Sequence, residues 1–117
     1  MNFKFKEENN FEKRKAENEA IMKKYPKKIA IICEKAPNSH LKTIDKTKYI
    51  VDNTLTLPQF YSSIKKKLEI DEKEGIFLLL NGKNTLTQNE TMGEIHKKYK
   101  DKDGFLYISY ASEEVWG

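Results

Sequence analysis

The sequence predicts an α+β fold in which one amphipathic helix lies across a small mixed sheet. Three observations predict it. Short β-branched and aromatic runs at 28–34, 48–51, 75–80 and 104–110 read as strands. Between the second and third, Leu57, Phe60, Tyr61, Ile64 and Leu68 recur at helical spacing, with Lys65, Lys66 and Lys67 on the wet side. The 117 residues are enough for one domain with one core.

The elements follow in order. Residues 1–24 are rich in Lys, Glu and Asn, with a thin apolar stripe of Phe11, Ala20, Ile21 and Tyr25. That pattern predicts a mostly solvated helix resting one narrow face on something else, and Pro26 ends it. The first strand carries Ile29, Ile31 and Cys33 on one face and Ala30 and Ile32 on the other. A sheet covered on one side only would alternate apolar with polar, so a second cover is needed, and the N-terminal helix is the available one. Residues 38–47 are polar and read as a loop. Lys48-Tyr49-Ile50-Val51 forms a second short strand, again apolar on both faces. Thr56 and Gln59 have capping-box spacing at the start of the main helix, with Pro58 tolerated in its first turn. A buried strand at 75–80 leads to Asn81-Gly82, a tight-turn signal into a short partner near Leu86. Thr91 and Glu94 repeat the capping box and open a short helix with Met92, Ile95 and Tyr99 inward. The run 104–110 is the last strand, and a polar stretch leads to Val115-Trp116-Gly117. This order fits a β-grasp roll.

Composition narrows the function. The chain holds 22 Lys+Arg against 18 Asp+Glu, a net of +4, which is far short of a nucleic-acid arm. Arg14 is the only arginine, so the bidentate forks that read guanine edges and clamp phosphates are scarce. The single Cys33 cannot form an internal disulfide, which points to a reducing compartment. Its strand position marks it as a buried thiol with no neighbouring His to activate it. His40 falls in a loop and His96 near the wet side of a short helix, and with Cys33 they make no convincing metal set. No Gly-rich phosphate loop, signal peptide or membrane span is visible. No nucleophile–base–acid set suggests an enzyme, and no cofactor is expected.

Several collinear motifs then carry a resemblance. Phe11-Glu12-Lys13-Arg14, Lys24-Tyr25-Pro26, Glu34-Lys35-Ala36, Asp45-Lys46 with Lys48-Tyr49, Gln59-Phe60, and Phe105-Leu106-Tyr107-Ile108 with Tyr110 run in the order found in the autophagy ubiquitin-like modifiers. The chain resembles that family over its whole length, and most closely the GABA-receptor-associated branch, with one extra residue near Asn84. The resemblance implies a ubiquitin-like core at 27–111, a two-helix N-terminal extension at 1–26 and a flexible tail at 112–117. It implies activating and conjugating enzymes that pass Gly117 to phosphatidylethanolamine, and a Cys protease that trims precursors and removes the lipid. It implies a monomer in the cytoplasm that moves to autophagosome and other vesicle membranes when lipidated.

It also implies docking of aromatic-x-x-aliphatic peptides of cargo receptors beside the second strand. By position match, pocket one is Glu17, Ile21, Ala30, Ile32, Lys48, Ile50 and Phe105. Pocket two is Tyr49, Val51, Leu55, Phe60 and Ile64, and Lys28, Lys46 and Lys67 contact the peptide's flanks. The residues support this mode independently, because a short apolar edge strand offers free backbone groups to an added strand. Ile31, Phe77 and Leu79 read as plain core. A terminal glycine suits acyl transfer because it lacks a Cβ and leaves its carbonyl uncrowded. The departures from the family are Ala30 and Asp52 where relatives carry Pro, Ser63 for an apolar residue, and Lys28 and Lys67 for Arg. The alternative is an unconjugated β-grasp module that binds cytoskeletal or acidic partners through Lys4, Lys6, Lys13, Lys15, Lys23 and Lys24.

Overall fold

Strand β1 (Lys28–Lys35) buries Ile29 through Cys33 without a break. A strand apolar on both faces must sit inside a sheet with cover on each side. The computed structural model, which describes residues 2–37, 39–71, 73–80 and 89–112, shows both covers. β1 pairs antiparallel with β2 (Lys48–Asp52) and parallel with β4 (Leu106–Ser112), and β4 pairs antiparallel with β3 (Ile76–Leu80). The described sheet has the order β2-β1-β4-β3. The parallel pair is central, and β2 stands at an edge.

Helix α3 (Leu57–Leu68) covers one face. Phe60, Ile64 and Leu68 pack there with Ile29, Ile31, Cys33, Tyr49, Ile108 and Tyr110. Helix α4 (Met92–Tyr99) adds Met92 and Ile95 to the same cluster. Both capping boxes form: Thr56 accepts from Gln59 N–H, and Thr91 accepts from Glu94 N–H. The two helix starts are laced together, because Met92 N–H donates to Leu55 C=O (2.6 Å) and Gly93 N–H to Asn53 C=O (2.9 Å). Gly93 is required there, since a Cβ would stand 2.6 Å from Asn53 O.

The second face lies under two helices, α1 (Lys4–Glu8) and α2 (Phe11–Lys24). Ala30, Ile32, Phe105 and Tyr107 form its cluster, closed by Phe3, Phe5, Ile21 and Met22. The expected stripe is thereby corrected. Ile21 faces the sheet, but Phe11 and Tyr25 are exposed and the rest of the apolar cover comes from Met22, α1 and its flank. What fixes α2 is polar. Arg14 Nε donates to Asp103 Oδ2 (2.8 Å) in a buried pair, and Arg14 Nη1 donates to Asn9 C=O (2.8 Å). Asp103 also accepts from Tyr107 Oη (2.5 Å) and Phe105 N–H (2.8 Å). Beside it Gly104, at φ +95°, presses against Asn18 so closely that a Cβ would lie 2.0 Å from its amide nitrogen.

Other expectations shift. Tyr99 is exposed rather than inward. Phe77 is only half buried and lies outside the cluster that holds Ile76, Leu78 and Leu80. His96 is half buried rather than wet, with Nε2 2.7 Å from Gly104 O. β4 pairs through Ser112, one residue beyond the expected end of the core at 111. Asn81-Gly82, Leu86 and the residues from 113 to Gly117 lie outside the described residues.

Candidate peptide-binding groove

The open edge of β2 organises the groove. In an antiparallel pair, residues alternate between positions that bond to the neighbour and positions that turn their backbone groups away. Asn53 N–H donates to Lys27 C=O (2.9 Å), and Cys33 N–H donates to Thr47 C=O (2.8 Å). Positions 47, 49, 51 and 53 therefore bond to β1. Lys48 and Ile50 turn both N–H and C=O toward the side that carries no strand among the described residues.

Side chains alternate as well, so β2 contributes to both faces. Lys48 and Ile50 stand opposite Ile32 and Ala30. Ile21 and Phe105 join the same cluster, and Glu17 forms an ion pair with Lys48. All seven pocket-one residues thus meet on the face under the N-terminal helices. Ala30, Ile32 and Phe105 are fully buried floor, whereas Ile50 is 37% exposed and Ile21 half buried. Ile50 and Ile21 are the least covered apolar members of this set, and the Glu17–Lys48 ion pair lies among them. Phe5 was missed from sequence. Its ring packs edge-on to Phe105 (5.1 Å between centroids) and lies under the Lys48 ammonium at 5.4 Å.

On the opposite face, Tyr49 and Phe60 meet edge-to-face at 6.0 Å, and Ile64 is buried beside them. Val51 and Leu55 pack half buried against that cluster. Lys46 and Lys67 stand over the Tyr49 ring at 5.3 and 5.7 Å, and Tyr49 Oη donates to Lys46 C=O (2.6 Å). Burial pushes the Tyr49 phenol up to about 12, so it stays a neutral donor. Among the described residues neither ammonium has a carboxylate within ion-pair distance. Lys28 is different. It starts β1, opposite Asp52 at the far end of β2, and its ammonium lies 5.9 Å from the Tyr25 ring. The three flank lysines therefore divide between two ends of one edge. Ser63 lies exposed on α3, one helical turn from both Phe60 and Lys67, in a shallow hollow with Pro58, Gln59, Ser62 and Lys66.

Cys33 is fully buried and its thiol is pushed up by that burial, which makes it inert. Among the described residues no cluster of His, Cys, Asp and Glu could hold a metal ion. No described helix is long and apolar enough to cross a membrane.

The fold and this edge direct the comparison with known proteins. The family described as "Autophagy protein Atg8 ubiquitin like" matches residues 13–117. The chain belongs to the Atg8 family of autophagy ubiquitin-like proteins. It is 44% identical to Autophagy-related protein 8 of Mycosarcoma maydis over 117 residues, all of this chain and 98% of that one. The crystal structure of Trypanosoma brucei ATG8 superposes with a TM-score of 0.88 at 34% identity, covering 97% of each chain. The ubiquitin-like fold of the Atg8 family and the α+β architecture drawn from element order are the same. Atg8 proteins are ubiquitin-like modifiers rather than an enzyme family.

Proposed function

We propose that this Atg8-family chain is conjugated through Gly117 to phosphatidylethanolamine and then recruits aromatic-x-x-aliphatic peptides of cargo receptors to the autophagosome membrane. One observation carries the adaptor half: among the described residues β2 has an unpaired edge, with apolar side chains beside it on both faces. Residues i and i+3 of an extended peptide point to opposite faces, so a motif with that spacing suits this arrangement. The aromatic side chain enters beside Ile50 and Ile21, and the aliphatic one beside Val51, Leu55 and Phe60. Lys46 and Lys67 attract acidic residues that precede the aromatic.

The conjugation half rests on family membership and on Gly117, whose lack of a Cβ leaves its carbonyl uncrowded for acyl transfer. Activating and conjugating enzymes carry the acyl group, and a Cys protease reverses the linkage. One amide to a diacyl lipid supplies two chains, enough for stable anchoring where one would be marginal. The test incubates the protein with activating and conjugating enzymes, ATP and vesicles containing phosphatidylethanolamine. A mass gain of one lipid on the wild type and none on Gly117→Ala is expected. An unmodified wild type would overturn the proposal and favour the unconjugated interaction module.

A further inference from the structure

We propose that the Asp52 N–H is a third backbone donor of the groove, lengthening the bound strand to the residue just before its aliphatic anchor. This inference rests on the peptide-binding reading above. Asp52 stands opposite Lys28 at a position of the same parity as Lys48 and Ile50, so its backbone also faces the empty edge. Its C=O is already taken, accepting from Leu55 N–H at 3.0 Å. Its carboxylate accepts from Thr54 N–H (2.9 Å) and Thr54 Oγ1 (2.7 Å). These contacts fix the turn that ends β2 and leave the N–H alone pointing outward. A proline at this position would offer no donor.

The direction of the added strand follows from the pockets. Pocket two includes Leu55, beyond the end of β2, while pocket one centres on Lys48 and Ile50. A motif with its aromatic residue first therefore runs parallel to β2. In parallel pairing the aromatic residue donates to Lys48 C=O and accepts from Ile50 N–H. The residue two further on donates to Ile50 C=O, and its own C=O reaches Asp52 N–H. That carbonyl directly precedes the aliphatic residue. The preferred partner is thus a peptide extended through all four motif residues, and a proline at its third motif position, which lacks the N–H for Ile50 C=O, is disfavoured.

The experiment is calorimetric titration of the full chain with an eight-residue peptide carrying Trp third and Leu sixth. Asp52→Pro should weaken binding roughly three- to tenfold, the worth of one net backbone hydrogen bond. Asp52→Ala keeps the N–H and should change affinity less than about twofold. Replacing the amide between peptide residues five and six by an ester weakens the acceptor carbonyl. It should cost the wild type a similar factor and cost Asp52→Pro nothing more. Unchanged affinity of Asp52→Pro, or of the ester peptide on wild type should the proline variant fail to fold, overturns the inference. Ile50→Asp separates the two readings. If it abolishes binding while Asp52→Pro is neutral, only this inference fails. If Ile50→Asp is neutral too, the groove itself is wrong.

Discussion

The substitution Arg14→Met removes the cation that pins α2 while keeping an unbranched apolar stem of similar reach. Asp103 is fully buried, and the Arg14 side chain is 11% exposed. Breaking a buried ion pair from one side typically costs about 3–5 kcal/mol, because the remaining charge stays desolvated. Two features reduce that figure here. Asp103 keeps its bonds from Tyr107 Oη and Phe105 N–H, and the edge of Arg14 already touches water. A loss of about 2–3 kcal/mol is therefore expected. For a chain of 117 residues the unfolding entropy makes 1 kcal/mol worth about 4 °C, so Tm should fall by about 8–12 °C. Thermal unfolding followed by circular dichroism measures this directly. The same substitution frees the Asn9 carbonyl and loosens Glu17 and Ile21 over pocket one, so peptide affinity should drop with stability. A Tm shift below about 2 °C would refute the claim that this pair, rather than the apolar stripe, holds the helix.

Two further outcomes follow from the same geometry. Burial lowers the pKa of His96 below its ordinary 6.5. The unfolded chain therefore takes up the proton first, and stability should decline as pH falls through about 6.5; His96→Gln, which keeps a donor for Gly104 O, should lose that part of the slope in pH-dependent denaturation. The lowered carboxylates Asp52, Glu94 and Asp101 lose their contributions only in the acid range near 4, a separate window. Ser63→Leu extends the apolar wall between Phe60 and Lys67, and should tighten a Leu-ended peptide about threefold or more by burying methyl groups; no change in Kd would count against this placement of pocket two.

Much of the fold was legible because local chemistry and burial agree. The capping boxes at Thr56 and Thr91, the period of Phe60, Ile64 and Leu68, and the doubly apolar β1 each have one physical reading, and the structure uses it. The N-terminal region was less legible. Its apolar residues are sparse, so spacing chose Phe11 and Tyr25, whereas the contact runs through Arg14, Asn18, Ile21 and Met22. A lone arginine among so many lysines was the signal for a buried pair, but its partner lies 89 residues away, where no local pattern reaches. The aromatic alternation of Phe3 and Phe5 was likewise a sign of a second cover. At the groove, the edge position of β2 was read from its shortness, and the described sheet places it there. Which of its amides face outward required the register, because a slip of one residue exchanges the two sets.

The central claim is that a foreign strand adds to this edge, and amide hydrogen exchange tests it residue by residue. Saturating the protein with an aromatic-x-x-aliphatic peptide should slow exchange at Ile50 and Asp52, leaving Tyr49 and Val51, already bonded to β1, almost unchanged. Tight binding with no slowing at Ile50 would place the peptide elsewhere and contradict the account.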